Sequence, residues 1–171
     1  MKNGKLVALS AITTALGVGF LMLGVYFETL DLSCLFMASL VMMLPLAKGS
    51  VKGALLTYMA TAILALVIGF ARYSVAALYA MFFGIHPILS FLQFRGEKKR
   101  FYFYIIKAVL FLAAAYLMFF LFNFFVIEHE IINEYLPYII FLVGTPLFIV
   151  YDLIMIRFQK YTNLMIKKIG L

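Results

Sequence analysis

Of 171 residues, 67% are hydrophobic and only 12% are charged, with a mean hydropathy of +1.12. A soluble domain is about 45–50% apolar and about 25% charged, so this chain has too few polar side chains to clothe a water-facing surface. The 19 Phe and 11 Tyr exclude a disordered polymer. A transmembrane β-barrel would alternate over segments of about ten residues, whereas the apolar runs here are unbroken. The fold class expected is an all-α integral membrane protein, a compact bundle of six transmembrane helices forming one domain over 1–171.

The first apolar run, 6–27, follows Lys2 and Lys5. A signal peptide also begins with a basic stretch, but its apolar core runs about 7–15 residues and ends at a small-residue cleavage site, absent here. The run is read as a retained membrane helix, closed by Glu28 and Asp31. A second span, 32–47, is short for a full crossing and calls for little tilt or local thinning. Lys48-Gly49-Ser50-Val51-Lys52 is a turn with two positive charges. Spans three and four, 53–71 and 74–94, are separated by Arg72-Tyr73. The polar loop Arg95-Gly96-Glu97-Lys98-Lys99-Arg100 precedes span five, 104–127. An acidic segment from Glu128 to Glu134 leads to span six, 137–156, with Pro137 suited to a first helical turn. An amphipathic basic tail covers 157–171.

Six spans place the loops on alternate sides, and the charges segregate accordingly. Lys2, Lys5, Lys48, Lys52, Arg95, Lys98, Lys99, Arg100, Arg157, Lys160, Lys167 and Lys168 share one side. Only Arg72 and Lys107 among the basic residues fall elsewhere, while Glu28, Asp31, Glu128, Glu130 and Glu134 occupy the other side. The positive-inside rule then makes this a multi-pass protein of the cell membrane with both termini cytoplasmic. The same rule accounts for the net charge of +7 without nucleic acid. The lone Cys34 forms no internal disulfide, and with no Trp present Tyr serves any interfacial belt.

Ala8, Ala11, Ala15 and Gly19 step by three, four and four, which puts them on one face of the first helix. Ala11 and Ala15 make a small-xxx-small pair, a surface that lets another helix approach closely. That helix is either a sister span or a span of another protein. Inside the spans, His86 (followed by Pro87) and Asp152 are the ionisable groups to explain, and neither belongs against lipid. His86 reads as a core histidine beside a proline kink. Asp152 reads as an interfacial carboxylate pairing with Arg157 or Lys160, or as a partner of His86. No longer chain of such groups is apparent that would relay protons.

On the acidic side Arg72 is the sole loop cation, followed by Tyr73. It is either an interfacial anchor or a clamp for a ligand carboxylate or phosphate, using its planar guanidinium. Asn123 could add amide hydrogen bonds, and Glu28, Asp31 and His129 could line a pocket mouth. A Gly-rich phosphate loop is absent. His86 and His129 fall on opposite sides, so no metal is shared between them. No enzyme activity, metal, cofactor or nucleic-acid partner is expected.

Six short spans, cytoplasmic termini and a first helix reading Leu-Val-Ala-Leu-Ser-Ala-Ile-Thr-Thr-Ala-Leu resemble a substrate-binding S component of bacterial energy-coupling factor (ECF) transporters. In that family an alanine-x-x-x-alanine surface on the first helix docks on a transmembrane coupling subunit, and Ala11 and Ala15 match it. The resemblance implies a small-molecule nutrient as ligand, a vitamin or precursor not identified by any subfamily motif, bound in a pocket opening outward. It also implies partner ATPase subunits that drive toppling of the bundle in the lipid bilayer. The alternative is a non-transporting accessory or scaffold protein of a cell-envelope complex. A self-sufficient oligomeric carrier is a third reading.

Overall fold

Hydrocarbon offers backbone N–H and C=O groups no water, so a spanning segment must satisfy them internally, and a helix does so within one strand of chain. The computed structural model describes residues 2–69, 72–95, 100–125, 135, 138 and 140–169, and among these every regular element is helical. The order is α1 (Lys2–Tyr26), a 3₁₀ turn (Glu28–Leu30), α2 (Asp31–Val41), α3 (Met43–Ala47), α4 (Val51–Ile68), and α5 (Tyr73–Leu78). A π-helical turn (Tyr79–Phe83), α6 (His86–Arg95), α7 (Arg100–Phe125), a second π turn (Ile140–Gly144) and α8 (Thr145–Ile169) follow. The protein is an all-α membrane bundle.

Five described stretches are long and apolar enough to cross a membrane: Gly4–Tyr26, Glu28–Ala47, Val51–Ile68, Tyr73–Phe94 and Phe141–Met165. Predicted span five falls on α7, whose described apolar stretch is the shorter Phe101–Leu117. The basic tail from 157 is not a separate element, because α8 runs unbroken through it to Ile169. No Gly or Pro interrupts that stretch, and Arg, Lys and Gln are good helix formers.

Prolines set the breaks. Pro45 has no N–H to donate to the carbonyl of Val41, and α2 ends at Val41, with Met42 alone between it and α3. The chain then turns at Gly49, the one positive-φ residue described (φ 73°), where a side chain would be strained. Ser50 caps α4 by accepting from the Gly53 N–H at 3.0 Å. Pro87 likewise frees the carbonyl of Phe83, which instead accepts from the Ser39 hydroxyl at 2.8 Å. The π turn lies immediately ahead of that proline, and its Ala80 carbonyl accepts from the Tyr58 hydroxyl at 2.5 Å. Ahead of Pro146 the pattern repeats, with a π turn and a Thr145 hydroxyl donating to Phe141 at 2.7 Å.

Packing in lipid lacks a hydrophobic driving force between helices, so close approach must supply the attraction. The main core is accordingly small: Ala38, Ala62, Ala65 and Ala76 pack around Leu21, Leu35, Val75 and Tyr79, joining α1, α2, α4 and α5. Gly17 seats Thr61 of α4 and Gly24 seats Cys34 of α2, which makes these the residues where α1 meets its sister helices. A second cluster of Phe82, Ala114 and Phe148 ties the first π turn to α7 and α8.

Gly84 closes the π turn against the Tyr58 ring, where an added methyl would sit 2.5 Å from a ring carbon. Gly84→Ala should lower stability by about 1–3 kcal/mol, the usual cost of overpacking a filled core. Thermal unfolding in detergent reads this directly, and an unchanged midpoint would mean that Tyr58 does not hold the turn.

Candidate functional site

Chemistry gathers in three places. At the end of the bundle where α1 meets α2, Arg72 caps the start of α5 and reaches across to Asp31. The guanidinium Nη2 donates to Asp31 Oδ2 at 2.8 Å, and Nη1 donates to Oδ1 and to the Gly24 carbonyl, each at 3.3 Å. Its Nε lies 3.9 Å from Glu28, whose carboxylate is largely exposed. The planar fork that made Arg72 a candidate clamp is thus turned inward and holds the α1–α2 corner to α5. Tyr73 starts α5 on the exposed side. The Asn123 side chain and His129 lie outside the described residues, and the structure brings Arg72, Asp31 and Glu28 together at this end.

On α1 the two faces separate. Thr13, Gly17, Leu21 and Gly24 are buried, whereas Ala8, Ala11, Ala15 and Gly19 are all exposed. A Cβ placed on Gly19 would meet nothing within 4 Å. Among the described residues the small-residue stripe therefore stays outside the packed core. Beside it a groove of about 310 Å³ runs between α1 and α4, walled by Val7, Ser10, Ala11, Thr14, Leu56 and Ala60. Thr14 donates to the Ser10 carbonyl at 2.9 Å, so this hydroxyl is satisfied within its own helix.

The third place was only half visible in the sequence. Asp152 of α8 is buried at 4% exposure, and one oxygen serves two partners. Lys107 of α7 donates from Nζ to Oδ1 at 2.5 Å, and His86 at the start of α6 holds Nε2 3.0 Å from the same oxygen. The His86 contact is out of line for a hydrogen bond, and its Nδ1 has no partner among the described residues. Lys107 also donates to Ser90 Oγ, one turn along α6, at 3.4 Å, and sits 4.9 Å from the Tyr104 ring centre. Both Lys107 and His86 are fully buried.

Aromatic rings close the surroundings. Tyr151 lies 4.7 Å and Phe82 5.3 Å from the imidazole centre. The Tyr151 hydroxyl shares a 2.9 Å hydrogen bond with Ser39, the residue that satisfies the Phe83 carbonyl. Asp152 thus faces Lys107 and His86, not Arg157 or Lys160 as the interfacial alternative had it. The reason is the rotation of α8: five residues before Arg157, position 152 faces α6 and α7. Sequence reasoning missed Lys107, which it recorded only as a cation out of place in an apolar run. That misplacement was the signal, because an intramembrane cation needs a buried anion. The cluster holds opposite charges in a dry interior and joins three helices. Among the described residues no three His, Cys, Asp or Glu gather to hold a metal ion.

Comparisons with known protein families, with curated proteins and with solved structures find no match.

A free clamp and a structural tie respond differently to truncation of Arg72. A free clamp would let Arg72→Ala spare the ligand-free protein. With the fork closed on Asp31, the loss should be about 1–2 kcal/mol, between a charge-assisted hydrogen bond and an exposed ion pair. Arg72→Lys should recover part of it, since an ammonium cannot present two parallel donors. Unfolding measured without ligand gives the answer, and wild-type stability in Arg72→Ala would return the side chain to a ligand role.

Proposed function

We propose that this chain is the membrane-embedded, substrate-binding subunit of an ECF-type uptake transporter for a small nutrient, a vitamin or its precursor. It lies in the cell membrane with both termini cytoplasmic, as the segregation of its cations supports. The observation that carries the reading is the exposed stripe Ala8, Ala11, Ala15 and Gly19 on α1. Small side chains facing lipid gain little from it, whereas a partner helix can approach their backbone closely and collect dispersion contacts along the whole stripe. The groove between α1 and α4 adds a concave wall beside that stripe.

In this mechanism the subunit performs no chemistry. It captures the nutrient from outside, docks through α1 on a transmembrane coupling subunit, and the partner ATPases supply the energy. The intramolecular tie between Arg72 and Asp31 means that a ligand carboxylate or phosphate reaching Arg72 would have to compete with Asp31. That observation favours the second reading, an accessory or scaffold protein of a cell-envelope complex, in which the closed corner is purely structural. The two readings share the docking face and differ in whether the acidic end opens to a ligand.

Ala11→Trp combined with Ala15→Trp should leave the isolated protein folded, because neither position is buried. The double variant should fail to co-purify with co-expressed coupling and ATPase subunits that retain the wild-type chain. Unfolding of the double variant, or no retention of the wild type, would remove the support for this assignment.

A further inference from the structure

A cleft at the opposite, basic end of the bundle is used by neither docking face nor corner. It lies between α3, α6 and α8, with a volume of about 460 Å³. Leu46, Phe91 and Ile156 form apolar walls, and Gln159, Lys160 and Asn163 supply the polar side. Gln159 is only 6% exposed. Its Nε2 donates to Asn163 Oδ1 at 3.1 Å, and its Oε1 has no partner among the described residues. A buried amide oxygen left without a donor is rare in a folded interior, and here the residue that carries it lines a space large enough for a ligand head group.

We propose that this cleft holds the head group of an anionic phospholipid that carries a free hydroxyl, the chemistry of phosphatidylglycerol. Each part of that molecule has a counterpart. A head-group hydroxyl donates to Gln159 Oε1, filling that unmet acceptor. The phosphate lies at the rim beside Lys160, which is exposed, near the turn that carries Lys48 between the lining residues Ala47 and Gly49. The acyl chains leave along the apolar wall, since Phe94 at the cleft edge and Leu153, one turn before Ile156 on α8, are exposed at 41% and 56%.

The donor and charge requirements select among lipids. Phosphatidylcholine brings neither a donor nor net charge. Phosphatidylethanolamine brings donors without net charge. Basic clefts between helices at the cytoplasmic surface are suited to anionic head groups. The site is independent of whether the protein carries a nutrient.

Native mass spectrometry of the delipidated protein with equimolar phosphatidylglycerol, phosphatidylethanolamine and phosphatidylcholine tests the assignment. The wild type should retain phosphatidylglycerol preferentially. Lys160→Gln, at an exposed position that folding does not need, should reduce that preference by about fivefold, the factor one interfacial lysine contributes toward an anionic lipid. Gln159→Leu, if folded by its thermal midpoint, should bring phosphatidylglycerol down to the level of the other lipids; if it does not fold, Lys160→Gln decides. Equal retention of all three lipids by the wild type would overturn the proposal, as would an unchanged preference in Lys160→Gln. Displacement of the lipid by millimolar glycerol 3-phosphate would also overturn it, pointing to a soluble phosphate ester as the occupant.

Discussion

An ionised carboxylate in a hydrocarbon-embedded bundle is tolerable only when opposite charge and polar groups converge on it, and Asp152 meets that condition through Lys107 and His86. The constraint is geometric as well as electrostatic. One oxygen atom must lie within reach of α6 and α7 at once, so the depth and rotation of three helices are linked through it. Removing one member leaves the others buried and uncompensated, which penalises any packing that slips α7 or α8 along its axis. The remainder of that half of the bundle, Phe82, Ala114 and Phe148, is apolar and fits around the cluster without specifying register by itself.

The same logic extends to the backbone. Pro87 beside His86 releases a carbonyl in a place without water, and Ser39 supplies the hydroxyl that satisfies it. Ser39 in turn meets Tyr151, the neighbour of Asp152. Hydrogen bonds therefore connect the α2 hydroxyl to the proline break and to Tyr151, whose ring packs against His86 of the charged cluster. The short α5, the π turn and α6 behave as one broken span whose kink is held by side chains from outside it.

Much of the fold was legible because membrane crossing imposes a crude code. Apolar runs bounded by charges located five crossing stretches, and the Lys48–Lys52 turn was plain from Gly49 and Ser50. Rotation was not legible. Asp152 and Lys107 are far apart in sequence, and their pairing depends on the angular positions of α7 and α8, which an all-round apolar helix does not advertise. Arg72 was visible as an isolated cation among acids, yet whether its fork faced a ligand or Asp31 depended on the distance between the ends of α1 and α5. On α1 the spacing identified one stripe of small residues and left open whether a sister span or another protein packs on it. Only packing assigned Gly17 and Gly24 to the interior and Ala8, Ala11, Ala15 and Gly19 to the surface.

The central claim is that Lys107 and Asp152 neutralise each other inside the bundle and thereby fix its second half. A double-mutant cycle on unfolding free energy measures that interaction directly. Lys107→Met and Asp152→Asn should each lower stability by about 3–5 kcal/mol, as expected when one partner of a buried pair is removed. The double variant should lose clearly less than the sum, with a coupling of about 1–3 kcal/mol. Additive losses would show that the two side chains act independently and would contradict the account.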